Sequence, residues 1–239
     1  MSTSKTTPSG AQADAATKVR HRRILWINIG AVVAFVVVVA VIVFSFGTNS
    51  SRPAASIDAS GAAVEVVRED SHVLGKPGAT TVTLVEFLDF ECEACGAAYP
   101  FVESLREKYA GQVTFVARYF PIPSHKNALN AAIAAEAAAR QGQFEQMYTK
   151  LFETQKEWGE QQDSRAPLFR QFADDLGLDL AQFDADVADA AVRDRVLSDQ
   201  NDGTALGVTG TPTFFLNGEL LQPESADDLI RAIDDALGR

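Results

Sequence analysis

Two thiols three residues apart, Cys92 and Cys95, are the side chains of this sequence best placed to do chemistry. A C-x-x-C pair can close into a disulfide and reopen, passing two electrons each time. The attacking species is the thiolate, so the setting of the first cysteine decides its reactivity. The chain of 239 residues has no other cysteine, which leaves no structural disulfide apart from the pair itself. A structural zinc site needs four ligands. The three histidines here are not close in sequence to the pair, so neither a metal nor a cofactor is expected.

The flanking sequence predicts how the thiols are held. Thr81-Val82-Thr83-Leu84-Val85-Glu86-Phe87-Leu88 is apolar and β-branched and reads as a buried strand. From Gly96 to Ala110, Ala98, Phe101, Val102, Leu105 and Tyr109 fall on one helical face. Cys92 then lies at a helix N-terminus, where unpaired N–H groups and the helix dipole favour negative charge and lower a thiol pKa. Cys95 follows one turn later and can close back onto it. Pro100 sits inside this helix and is expected to kink it.

The chain begins with residues 1–23, a disordered basic segment by composition. Lys5, Lys18, Arg20, Arg22 and Arg23 outnumber Asp14 by four charges, although the whole chain carries −11. The remainder is therefore strongly acidic, which argues against nucleic acid as a partner. Residues 24–46 are uncharged and apolar, long enough to cross a bilayer core and too long for the apolar part of a secretory signal. The Pro53-Ala54-Ala55-Ser56 stretch leaves cleavage open. Basic residues crowd the N-terminal flank, so the positive-inside rule puts the N-terminus in the cytoplasm and the rest outside, in an oxidising compartment. Residues 47–61 read as a flexible linker and 62–239 as the folded domain.

Within that domain, Ala63–Val67 is predicted as an edge strand and Gln112–Tyr119 as a second core strand. Asn127–Arg140, Phe144–Phe152, Leu168–Leu176 and Leu180–Leu197 read as helices, with a polar loop over Trp158–Ala166. These form a helical block over about 126–200. Phe144, Tyr148, Phe152, Phe169, Phe172 and Phe183 are expected in its core, with lining of an apolar groove as the alternative. Thr213–Leu216 and Glu219–Leu221 flank Asn217-Gly218, a strong hairpin signal. Ser225 is placed to cap a last helix.

This order of pieces resembles the DsbA-like branch of the thioredoxin superfamily over about residues 64–239. Carrying the resemblance are Cys92-Glu93-Ala94-Cys95, Glu86 six residues before the pair, Pro100 eight after Cys92, and Gly210-Thr211-Pro212-Thr213 before a Phe-rich strand. It implies an α/β thioredoxin-like fold with an inserted helical subdomain, preceded here by one transmembrane helix as in membrane-tethered relatives. It implies catalytic roles for Cys92 as attacking thiol, Cys95 as resolving thiol and Glu86 as proton acceptor for Cys95. Thr211 and a cis Pro212 would bind the substrate backbone. For Glu86 a solvent-facing carboxylate is the other reading, and for Pro212 a trans turn.

One departure stands out. Strong oxidases of this type carry Pro and His between the cysteines, where this chain has Glu93 and Ala94. Asp89, Glu91 and Glu93 are expected to oppose a thiolate at Cys92 and make the disulfide less oxidising. His125 is expected to cap or pack rather than to act in chemistry.

The expected activity is thiol–disulfide exchange with the thiols of unfolded or folding envelope proteins. The chain would be anchored in the cell membrane and served by a membrane redox partner, a quinone-linked oxidase or an electron-supplying reductase. The alternatives are a reductase or isomerase on the same fold, a redox-inert binding or scaffold module, or a metal chaperone.

Overall fold

A computed structural model describes residues 64–239. The predicted basic segment, the span over 24–46 and the linker over 47–61 lie outside the described residues. Among the described residues no helix is long and apolar enough to cross a membrane.

Five strands form one sheet in the order β1-β3-β2-β4-β5. They are β1 (His72–Leu74), β2 (Thr83–Leu88), β3 (Thr114–Tyr119), β4 (Thr213–Leu216) and β5 (Glu219–Leu220). β2 pairs in parallel with β3 through α1 (Glu93–Lys108), and antiparallel with β4 on its other side. The apolar run of β2 reflects this central place: Leu84 to Leu88 are all buried, because both faces of the strand are covered. Leu84 and Leu88 join the larger core under α1, while Val85 and Phe87 join a second cluster with Val116, Val208 and Phe215. Glu86 shares the face of Leu84 and Leu88. α1 continues unbroken through Pro100.

Six helices separate β3 from β4: α2 (Ala128–Ala139), α3 (Phe144–Glu153), α4 (Gln155–Trp158), α5 (Ala166–Asp175), α6 (Leu180–Ala188) and α7 (Ala190–Ala205). Ala-rich α2 runs through the middle of the block. Its small side chains let α3, α5, α6 and α7 approach, and nine of its twelve residues are buried. The six aromatics expected in the block are all buried. The block is fastened to the sheet by Arg118 of β3, fully buried, whose Nε donates to Asp199 at 2.7 Å and Nη2 to Asp202 at 2.6 Å, both on α7.

Asn217 and Gly218 take φ of 52° and 86°, the left-handed pair that a tight hairpin requires, and join β4 to β5. Asn217 also ties back to β2: Thr83 N–H donates to its Oδ1 and Asn217 N–H to the Thr83 carbonyl, each at 2.9 Å. Ser225 caps α8 (Ala226–Ala236), its hydroxyl accepting from Asp228 N–H.

Three sequence expectations change. Residues 64–67 form no strand; the edge strand is β1, and the Glu65 and Val66 carbonyls instead accept from the Arg118 guanidinium. Trp158 does not open a polar loop. It closes the short helix α4, fully buried against Phe169 with ring centroids 4.8 Å apart. The helix expected over 180–197 is two, because Asp189 turns extended and caps α7 by accepting from Ala191 N–H.

Candidate functional site

The site is built where β2 ends. Asp89 to Glu91 form a turn, Cys92 is the extended N-cap of α1, and its carbonyl takes the first helical bond from Gly96 N–H at 3.0 Å. The Ala94 and Cys95 N–H groups at this helix start favour an anion on the Cys92 sulfur. Both cysteines are free thiols. Cys92 keeps 7% of its surface exposed and Cys95 none.

Across from the pair, the Thr211–Pro212 bond is cis, and Cys92 Sγ donates to the Thr211 carbonyl at 3.3 Å. The Thr211 hydroxyl is buried and has no hydrogen-bond partner among the described residues, which leaves it available to a sulfur anion. Glu86 is 5% exposed, so its carboxyl is buried rather than solvent-facing. The structure thus brings Cys92, Cys95, Thr211 and Pro212 together, with Glu86 behind them on β2.

The electrostatics divide the two thiols. The Cys92 pKa is lowered to about 5, first by a hydrogen bond from the Cys95 thiol, against partial burial, then by Thr211 and the two helix N–H groups. Burial pushes the Cys95 thiol up, helped by its bond to Cys92 and by the charge of Glu86. Burial also pushes Glu86 up to about 8, with Glu103 and Cys92 adding to it. A thiolate, a protonated thiol and a carboxyl that titrates near neutrality are stacked in one place.

The expectation that nearby carboxylates would oppose the thiolate is corrected here. Asp89 is buried and turned inward, its oxygens accepting from Glu91 N–H at 2.8 Å and Ile122 N–H at 2.9 Å. Glu91 is buried and accepts from Asn127 N–H. Glu93 is exposed to solvent, where its charge is screened. Local donors at the helix start outweigh all three.

Three residues take parts in the site that the sequence does not assign to them. Gln155 of α4 donates to the carbonyls of Phe90 and Cys92, each at 2.8 Å. Asn127, fully buried, holds Glu91 through its N–H and the 161–165 loop through its side chain. His125 bonds Asp89, so it belongs to the site rather than to a cap. Each lies more than thirty positions from Cys92 and comes to it only through the fold. A groove of about 750 Å³ opens beside the pair, walled by Tyr99, Pro100 and Phe152 and floored by Gly96 and Gln155.

A family model described as thioredoxin matches residues 68–235. The fold is similar to a thioredoxin-like oxidoreductase from Silicibacter pomeroyi, with a TM-score of 0.61, 27% identity, and 74% of this chain covering 97% of that one. Oxidised BdbD from Bacillus subtilis (TM-score 0.61, 21% identity, 71% of this chain and 94% of that one) has the same fold. So has alpha-DsbA1 from Wolbachia pipientis, with a TM-score of 0.61, 19% identity, and 72% and 93% covered. Among curated proteins, 172 residues are 38% identical to Na(+)/H(+) antiporter NhaA 1 of Mycobacterium sp. (strain KMS), 70% of this chain and 27% of that protein. The chain spans about a quarter of the length of the curated relatives it matches, and their antiporter name describes those whole proteins.

Proposed function

The chain belongs to the thioredoxin family, and on that premise we propose that it is a DsbA-like thiol-disulfide oxidoreductase that donates disulfides to folding proteins outside the cytoplasm. One observation carries this direction: Cys92 is the N-cap residue of α1, at the helix end where unpaired N–H groups and the dipole favour an anion, and its pKa is lowered to about 5. A stabilised thiolate stabilises the reduced pair, which makes the disulfide a strong oxidant.

In the oxidised enzyme a client thiolate attacks Cys92 Sγ. The Cys92–Cys95 bond breaks and the electron pair leaves on Cys95. Cys95 then takes a proton, which Glu86, protonated below about pH 8, is placed to give through the buried site. A second client thiolate attacks the client sulfur of the mixed disulfide, and Cys92 leaves as the stabilised thiolate. The client has lost two electrons and the pair has gained them. Thr211 and Pro212 would hold the client backbone beside the sulfur.

Return to the disulfide needs an electron acceptor, and a quinone-linked membrane oxidase suits an enzyme tethered through residues 24–46 with its N-terminus in the cytoplasm. The apolar, uncharged composition of that stretch and its basic N-terminal flank support the tether. Reduction or isomerisation is the second reading of the same site, favoured by a weakly oxidising pair.

Equilibration of the full-length chain in glutathione buffers tests the direction. A potential near about −120 mV is expected, whereas one near about −270 mV would make the protein a reductant.

A further inference from the structure

We infer that Gln155, in the helical block, is a positioning residue for the nucleophile: it locks the peptide carbonyl of Cys92 and so keeps the sulfur over the helix N–H groups. The inference rests on the dithiol reading above and assigns that site a part outside the thioredoxin core.

The Gln155 side chain is buried, and its amide nitrogen donates twice. Nε2 reaches the carbonyls of Phe90 and Cys92, each at 2.8 Å, one before and one at the helix cap. The Cys92 carbonyl already accepts from Gly96, so it is held by two donors from different parts of the fold. Fixing that carbonyl fixes the backbone rotation that aims Cys92 Sγ at the Ala94 and Cys95 N–H groups. Losing it frees the cap to swing the sulfur away.

The other side of the amide explains a glycine. A Cβ on Gly96 would fall 1.9 Å from Gln155 Oε1 and 2.7 Å from Cδ. Gly96 lies in the first turn of α1, where alanine is ordinarily the better helix former. The space it leaves is the seat of the Gln155 head. Gln155 is itself set firmly, at the start of α4 with its carbonyl accepting from Gly159 N–H at 2.7 Å. It also floors the groove beside the pair, so a client lying there rests on the residue that orients the sulfur. A neutral amide is suited to the place. It supplies donors to two carbonyls without adding a charge next to the thiolate.

Two independent perturbations test this in the full-length reduced chain: Gln155→Ala, which removes the donor, and Gly96→Ala, which leaves Gln155 present and pushes its head out. The readout is the rate of Cys92 alkylation against pH. Both variants are expected to raise the midpoint by about one unit, a tenfold loss of thiolate at lower pH, and the double variant to add little to either. Both potentials should move toward the reductant end. Wild-type midpoints in both variants, with the folded state intact by circular dichroism, overturn the assignment. Should Gln155→Ala fail to fold, the Gly96→Ala profile alone decides in the same two ways. A wild-type chain with no reversible Cys92–Cys95 couple would instead refute the dithiol reading, and the inference with it.

Discussion

His125 Nδ1 lies 2.7 Å from Asp89 Oδ2, which fastens an imidazole from the loop after β3 to the turn that carries Cys92. The histidine looked for between the two cysteines is supplied from another segment. Burial alone would lower its pKa, but the bond and charge of Asp89, with the charges of Cys92 and Glu91, raise it. The interaction is reciprocal: a thiolate that favours the imidazolium is itself favoured by it.

His125→Ala should therefore raise the pH midpoint of Cys92 alkylation by several tenths of a unit to about one. The difference should fade in alkaline solution, where wild-type His125 has lost its proton. Superimposable profiles at every pH would show that the imidazole does not reach the sulfur.

The two cysteines should fail in different ways. Cys92→Ser should abolish exchange with client thiols. Cys95→Ser keeps the attacking sulfur and lacks the resolving one, so mixed disulfides with clients should accumulate and appear as extra bands on non-reducing gels. Normal turnover by Cys95→Ser would overturn the division of roles.

Glu86 makes stability depend on pH. Its carboxyl titrates near 4.5 in the unfolded chain and about 8 in the reduced native one. Between those values the native state holds a proton that the unfolded state has released. Its stabilising share is whole below about pH 4.5 and is lost as pH rises to about 8. Glu86→Gln should remove that decline. Urea unfolding under reducing conditions should show the variant gaining on the wild type by a few kcal/mol between pH 5 and pH 8.5. Parallel pH curves for the two proteins would mean that Glu86 is charged when folded.

Asp199→Ala should cost about 3–5 kcal/mol, since it strips the fully buried Arg118 of one carboxylate and Tyr119 N–H of its acceptor at 3.1 Å. Replacing Arg118 by Met together with Asp199 by Leu should recover much of the loss. Thermal unfolding of the two variants beside the wild type checks both statements. An unchanged melting temperature for Asp199→Ala would show that the pair does not join α7 to the sheet.

Much of this fold is legible because its signals are local. The β-branched run of β2, the helical spacing after Cys92, and the Asn217-Gly218 turn each state their geometry within a few residues. β1 is not legible because three residues, His72 to Leu74, are too short to show a period. The polar neighbours of Trp158 suggest a loop, while a packing partner eleven residues on decides its burial. The electrostatics of the site misled for a related reason. Sequence shows that Asp89, Glu91 and Glu93 stand beside Cys92, but it does not show where their oxygens point. The partners that turn two of them inward, Ile122, His125 and Asn127, come from the far side of β3.

Complete burial of Cys95 leaves the protein a single doorway for electrons. In the proposed exchange any outside sulfur would meet Cys92 first, and both arrival and departure would pass through that one atom. A client would thus be held by one covalent tether at a time, and a stalled tether would be cut only from inside, by Cys95, or by the client's own second thiol. With no further cysteine among its 239 residues, the chain also offers its own chemistry no wrong sulfur to join.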